Sequence, residues 1–260
     1  MLTSLQNPLI KQIRSLHRAK GRREIGLFLI EGTHLIEAAC AAERAIATVC
    51  CTEAWQTQYP VLWEQIARWA QRIEVVSAEV LRAIATTTEP DGIVATLERI
   101  ATPAPKFTHL GLVLETIQDP GNLGTMIRTV AAVGAEGLLL SPDSVDLDHP
   151  KVVRASAGAW FQVPMATHAD LPTALQRYQQ QGFQVVATLP TAKDSFWDID
   201  LRKPTLLLLG NEGAGLSPEL TAIADQTIRI PIHPGVESLN VAIAAALILY
   251  EAKRQRKENL

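Results

Sequence analysis

The chain has 260 residues, 47% of them hydrophobic and 20% charged, which excludes a disordered chain and leaves room for one large domain or two modest ones. Its 24 Lys and Arg against 27 Asp and Glu give a net charge of −3, which excludes a protein that meets nucleic acid with a globally basic surface. The total hides an asymmetry: residues 1–23 hold Lys11, Arg14, Arg18, Lys20, Arg22 and Arg23 and no acid, so the rest of the chain carries 18 basic and 27 acidic groups. Three cysteines, Cys40, Cys50 and Cys51, show no C-x-x-C spacing. They point to a reduced, cytoplasmic setting, with neither a disulfide framework nor a metal site expected. The apolar run at 241–250 is about half of the ~20 residues a spanning helix needs, and the N-terminus lacks the apolar stretch of a signal peptide, so no membrane association is expected.

In chain order, Leu5, Leu9, Ile13 and Leu16 fall at helical spacing among the basic residues of 4–23. A strand is predicted over 27–30, then a helix to 43 for which Thr33 is a candidate cap. Residues 45–51 read as a strand, 62–71 as a helix, 73–76 as a strand, 78–85 as a helix and 93–97 as a strand. These elements form an alternating α/β module over 1–98. Residues 99–108 contain Pro103 and Pro105 and little periodicity, which predicts a linker, with a surface loop inside one domain as the alternative. The alternation then restarts: strands over 110–114, 137–140, 161–165, 183–189, 205–209 and 227–230, and helices over 123–133, 149–157, 169–181, 220–225 and 239–256. That pattern predicts a doubly wound parallel sheet over 109–260, with 205–209 apolar throughout as in a strand covered on both faces.

Three segments rich in Gly, Asn, Ser and Pro fall at predicted strand ends, where ligands bind in such sheets. They are D-P-G-N-L-G-T-M-I-R at 119–128, L-G-N-E-G-A-G-L-S at 209–217 and I-P-I-H-P-G-V-E-S-L-N at 230–240. In the second, Gly210, Gly213 and Gly215 are spaced G-x-x-G-x-G, which is neither a dinucleotide fingerprint nor a P-loop, and a plain glycine turn is an equal reading. In the first, Asn122 fits a helix cap. Arg128 lies nearly two turns into an apolar helix, where it is solvated, paired with an acid, or directed at an anion that its planar fork would grip. In the third, Ser238 fits the cap of the terminal helix, and Asn240, a poor helix former, has work for its side chain elsewhere. His233 reads as a surface imidazole.

Together and in this order, the three segments resemble the three motifs of the SpoU (TrmH) family of RNA ribose 2′-O-methyltransferases, of the SPOUT class. The block P-K-V-V-R-A-S-A-G at 150–158 resembles a further family segment. Q-N-P-L-I-K at 6–11, F-L-I-E-G at 28–32 and P-D-G-I at 90–93 are similar to the small L30e-like RNA-binding domain that precedes the catalytic domain in many members. The resemblance implies an α/β chain: an L30e-like domain at 1–98, a linker at 99–108, and a parallel-sheet SPOUT domain at 109–260 with a deep trefoil knot. It implies S-adenosylmethionine as cofactor, held by Gly210, Ile230, Leu239 and Leu189, and a reaction centre of Asn122, Arg128, Glu212, Ser238 and Asn240. It also implies a homodimer and an RNA partner, with ribosomal RNA favoured over transfer RNA because a separate N-terminal domain is present. A catalytically silent RNA-binding protein on the same fold is the alternative. Lys11, Arg14, Arg18, Arg22, Arg23, Lys151 and Arg154 are the candidate RNA contacts. Pro234-Gly235 departs from relatives that place the glycine one position earlier.

In this reading Arg128, which is effectively always protonated, grips the phosphate beside the target ribose. The proton acceptor is either that phosphate or a transiently deprotonated Arg128. Glu212 either fixes Arg128 or the ribose, or binds loop amides.

Overall fold

In the computed structural model, which describes residues 1–99 and 104–256, the basic N-terminal segment folds as two helices and not one: α1 (Pro8–Ser15) and α2 (Ala19–Ile25). Asn7 caps α1 by accepting from the Leu9 amide at 2.9 Å. A Cβ on Gly21 would stand 2.1 Å from the Ser15 carbonyl oxygen, so α2 meets the end of α1 at a distance only glycine permits. The chain continues through β1 (Leu27–Glu31), α3 (Thr33–Ala41), β2 (Ile46–Cys51), α4 (Glu53–Gln58), α5 (Pro60–Trp69), β3 (Ile73–Val75), α6 (Ala78–Ile84) and β4 (Ile93–Glu98). These strands form one sheet in the order β1-β4-β2-β3, with β4 antiparallel to both neighbours and β2 parallel to β3. The six-residue α4 is too short for a periodic signal in the sequence. Its existence rests on Thr52, which caps it, and on Trp55, which is buried.

The second half comprises β5 (Leu110–Leu114), α7 (Pro120–Val133), β6 (Leu138–Leu140), α8 (Pro150–Ala155), a single 3-10 turn at Ala159–Phe161, β7 (Met165–Thr167), α9 (Leu171–Gln180), β8 (Gln184–Thr188), β9 (Asp194–Ser195), β10 (Thr205–Leu209), α10 (Pro218–Ile223), β11 (Gln226–Arg229) and α11 (Val241–Arg256). Its seven strands form one sheet, parallel at every pairing, in the order β7-β6-β5-β10-β8-β11-β9. β10 sits at its centre and is buried along its whole length. Val113, Leu139, Val185, Ala187, Leu206 and Leu208 face Leu171, Leu175 and Leu220 of α9 and α10. The alternate residues Leu112, Leu114, Leu207 and Leu209 are equally buried on the other face. α7 packs against α11. Residues 161–165, read from the sequence as a strand, instead close the 3-10 turn, and the strand begins at Met165.

The chain divides into two compact units, Met1–Ala101 with Asp146–Gln162, and Thr102–Val145 with Val163–Leu260. The expected linker at 99–108 lies partly outside the described residues. Asp146–Gln162, which the sequence division assigns to 109–260, belongs to the first unit. Val153, Trp160 and Phe161 join its core, and the Trp160 ring lies 4.9 Å from that of Phe28. Among the described residues no helix is long and apolar enough to cross a membrane.

Candidate active site

Because β5, β10, β8 and β11 are parallel neighbours, the loops that leave them collect at one end of the sheet. The first begins the helix α7. Its cap is Asp119, which accepts from the Asn122 amide at 2.9 Å, with Pro120 in the first turn. Asn122 therefore does not cap, contrary to the local sequence reading, and its side chain is free to bond across loops. It donates to Glu212 Oε1 at 3.1 Å and accepts from Asn240 Nδ2 at 2.9 Å. Asn240 in turn accepts from the amides of Ala242 and Ile243 at 2.9 and 3.3 Å. It, and not Ser238, caps α11, which starts at Val241 and not at 239.

The glycine loop after β10 closes on itself. Asn211 and Gly215 exchange backbone hydrogen bonds of 3.0 Å, and the Asn211 side chain accepts from the amides of Gly213 and Ala214. A Cβ on Gly210 would meet the Gly215 backbone at 2.2 Å, which explains that glycine. The loop is also tied to the one after β5. Asn211 donates to the Thr116 carbonyl at 2.8 Å, and Glu115 accepts from the Ser217 amide at 2.7 Å. Glu212 accepts from the Gln118 and Asp119 amides at 3.4 and 3.3 Å. Thr116 holds a left-handed φ of +55°, a conformation that costs about 1–3 kcal/mol and persists where surroundings enforce it. Here the enforcing bonds run from its amide to Ser141 and from its hydroxyl to Asp143, at 2.7 and 2.6 Å. Glu115, Thr116 and Gln118 escaped the sequence reading, which offered only their position at a strand end.

A cavity of about 520 Å³ opens beside these loops, lined by Thr188, Leu189, Pro190, Leu209, Gly210, Arg229, Ile230, Leu239 and Ser238, among others. Leu189, Gly210, Ile230 and Leu239, the four expected cofactor contacts, all border it, as do Glu212 and Ser238. Pro190, Arg229 and Glu237 border it too and were not singled out in the sequence. A lining of apolar residues with a few polar and charged groups among them suits a nucleoside carrying a charged amino-acid tail. Asn122 and Asn240 are not wall residues but reach the wall through Glu212. Arg128 is exposed on α7 and makes no hydrogen bond or ion pair among the described residues. Glu212 thus does not hold Arg128; it binds loop amides and Asn122, the other role open to it. His233 bonds to the Pro234 carbonyl oxygen through Nδ1 on the exposed loop.

Burial of Glu212 opposes its ionisation, but the hydrogen bonds from Asn122, Asp119 and Gln118 together outweigh it and hold the carboxyl below its ordinary value. A depressed carboxyl stabilises the folded state above its unfolded pKa, and that contribution disappears as pH falls through the folded value. Glu212→Gln is therefore expected to destabilise the protein at neutral pH and to bring the two melting curves together as pH falls through the lowered folded value, below the ordinary carboxyl range. A constant gap in Tm across pH 3–7 would show that the charge is not what bonds the loops.

Two expected RNA contacts are corrected. Arg22 is 1% exposed and donates to Asp146 at 2.8 Å, to Asp148 at 3.0 Å and to the Leu16 carbonyl at 3.2 Å, so its cation is spent inside the first unit. Arg154 donates to Thr86 at 2.9 Å and to the buried carboxylate of Glu31 at 3.2 Å. Arg23 is exposed but paired with Asp146 at 2.9 Å. Lys11, Arg14, Arg18 and Lys151 are exposed.

Residues 109–250 match the model of the SpoU rRNA Methylase family. The chain belongs to the SpoU rRNA methylase family. Residues 7–95 of this SpoU protein match the MRM3-like substrate binding domain. Over 98% of its length it is 46% identical to an uncharacterized tRNA/rRNA methyltransferase of Synechocystis sp., covering 94% of that relative. It is 30% identical, over 97% of its length and 98% of the relative's, to the 23S rRNA (guanosine(2553)-2'-O)-methyltransferase RlmP of Bacillus subtilis. Among solved structures it is similar to an AdoMet-bound rRNA methyltransferase from Sinorhizobium meliloti, with 33% identity, a TM-score of 0.85 and 97% of each chain covered. It is also similar to the SpoU methyltransferase AviRb from Streptomyces viridochromogenes in complex with AdoMet, with 29% identity, a TM-score of 0.87 and 98% and 100% of the two chains covered. The SpoU protein is accordingly an S-adenosylmethionine-dependent methyltransferase with the α/β fold of this class.

Proposed function

We propose that this SpoU enzyme methylates a ribose 2′-hydroxyl of ribosomal RNA. The observation that carries the reading is one arrangement: a cavity walled by Glu212 and Ser238, a hydrogen-bonded set running from Glu212 through Asn122 to Asn240, and an exposed Arg128, without a partner among the described residues, on the helix that begins in that set. The RlmP relative, a 23S rRNA 2'-O-methyltransferase, supports ribosomal RNA. When bound, S-adenosylmethionine supplies an activated sulfonium methyl group. Leu189, Ile230 and Leu239 would hold its apolar part, and the Gly210 backbone its approach. Ser238 and Asn122 would orient the ribose. Arg128, permanently charged, would bind the adjacent phosphate through two parallel hydrogen bonds and so fix the hydroxyl's direction. Much of the rate then comes from positioning. The test is transfer of labelled methyl to unmodified ribosomal and transfer RNA. Label on ribose in ribosomal RNA is expected. Label on a base, or on transfer RNA alone, overturns the reading.

The same proposal includes a homodimer through α11. Ile243, Leu247 and Tyr250 lie at helical spacing and are 50%, 40% and 53% exposed, an apolar stripe suited to a second copy. Sedimentation at micromolar concentration showing monomer alone would remove it. It includes a deep trefoil knot, supported by the start of α11 lining the same cavity as the loops after β8 and β10. An experimental chain trace with α11 unthreaded would remove that. A cytoplasmic location fits three free, buried cysteines, and cell fractionation tests it.

A further inference from the structure

The protein has five tryptophans. Trp55 is buried, and Trp63, Trp69 and Trp160 pack against the core of the first unit. Trp197 is different: it is 61% exposed. It stands just past β9, the edge strand that the sequence did not predict. β9 runs parallel to β11, with Ser195 opposite Arg229. Parallel strands end at the same side of a sheet. Trp197 therefore leaves the sheet at the same end as the residues that follow β11 and wall the cavity, about one strand spacing of 4.8 Å farther out.

The backbone under the indole is pinned. The Phe196 amide donates to the Arg229 carbonyl at 3.0 Å, and Arg229 is itself a wall residue. The Trp197 amide donates to Ser195 Oγ at 3.2 Å. Phe196 is buried, and the two rings lie 5.1 Å apart at 37°. The fold thus holds a large aromatic face in solvent at the end of the sheet where the cavity lies.

We propose that Trp197 is a stacking platform for an unpaired base of the RNA substrate close to the target ribose. The inference rests on the RNA reading above. A protein partner buries a contiguous apolar patch, whereas the exposed residues close to Trp197 in the chain are charged: Lys193, Asp194 and Asp198. A base needs only one π face, and unstacked bases in RNA are held on aromatic rings in this way. Asp194 and Asp198 repel phosphate, so the ring meets a base and not the backbone.

The test compares Trp197→Ala and Trp197→Phe with wild type, using a 23S rRNA transcript. Loss of the ring is expected to raise KM for RNA roughly 5- to 150-fold, the range for removing one base–aromatic stack, with kcat and cofactor Kd unchanged. Trp197→Phe should retain most of the affinity. The dependence of binding on salt should keep its slope, because every cation that meets a phosphate is still in place. Indole fluorescence of the wild type should be quenched by a single-stranded RNA oligonucleotide, and that quench should be missing in Trp197→Phe. A wild-type KM in Trp197→Ala, a flattened salt slope, or a change in sedimentation overturns the proposal. If the wild type methylates no RNA, the functional reading fails, and the oligonucleotide quench still decides whether Trp197 stacks.

Discussion

Arg128→Ala is expected to lower kcat for methyl transfer by about 10²- to 10³-fold, the cost of removing one hydrogen-bond donor from a reaction centre. Cofactor Kd should not move, because Arg128 is not among the residues that wall the cavity. The structural ground is the contrast between Arg128 and the other cations near it in role. Arg22, Arg23 and Arg154 are all paired with carboxylates. Arg128 sits on a helix whose neighbouring Met126 and Ile127 are fully buried, yet its own side chain is exposed and has no partner among the described residues. A cation with no partner among the described residues, on the helix that begins in the polar network, is available to an anion that arrives with the substrate. Arg128→Lys should recover little, since an ammonium cannot reproduce the two-pronged grip. Stopped-time assays with labelled cofactor and saturating RNA measure the effect. Full activity in Arg128→Ala would remove this residue from the reaction.

The largest expected effect on stability lies elsewhere. Arg22→Ala should destabilise the first unit by about 3–5 kcal/mol, because deleting one member of a buried ionic cluster strands the others. Asp148 is buried, Asp146 partly so, and Arg99 pairs with Asp148 from the far side of the cluster. Urea denaturation reads this directly, and an unchanged midpoint would mean that Arg23 and Arg99 suffice. Arg14→Ala, on an exposed helix face, should stay within about 0.5 kcal/mol. RNA binding should show the reverse ranking. Combined Lys11→Ala, Arg14→Ala and Arg18→Ala should weaken it and lower the salt slope by about 0.7–0.9 for each phosphate no longer neutralised. Filter binding across a salt series distinguishes the two groups of residues. The excess of positive charge in 1–23 is thus two things: a solvated patch on α1 and its end, and an internal lock supplied by α2.

That division was not legible in the sequence. Arg18 and Arg22 lie four residues apart in the same basic segment, and nothing local tells them apart. The break between α1 and α2, forced by the close approach at Gly21, turns one outward and the other into the cluster with Asp146 and Asp148. The caps behave in the same way. Asn122 and Ser238 are good capping residues by type, and Asp119 and Asn240 are equally good; which residue caps depends on where Pro120 and the α11 backbone start their first turn. The edge strand β9 has two residues, too few for any alternation to register, and exists only because β11 offers it an open side.

The sequence by itself determined the α/β alternation, the parallel sheet of the second half and the three loops at the strand ends, and the family resemblance of those loops pointed to Leu189, Gly210, Ile230 and Leu239, which border the cavity. Apolar periodicity and loop composition are local properties, and they survive in a string of letters. The tertiary structure alone decided which polar groups meet. Asn122 joins Glu212 across 90 positions and Asn240 across 118, and Arg22 joins Asp146 across 124. Such pairings follow from strand order and helix orientation, which only the packed chain specifies. They decided that Glu212 ties loops together, that Arg128 remains exposed without a partner among the described residues, and that Arg22 belongs to the core of its unit.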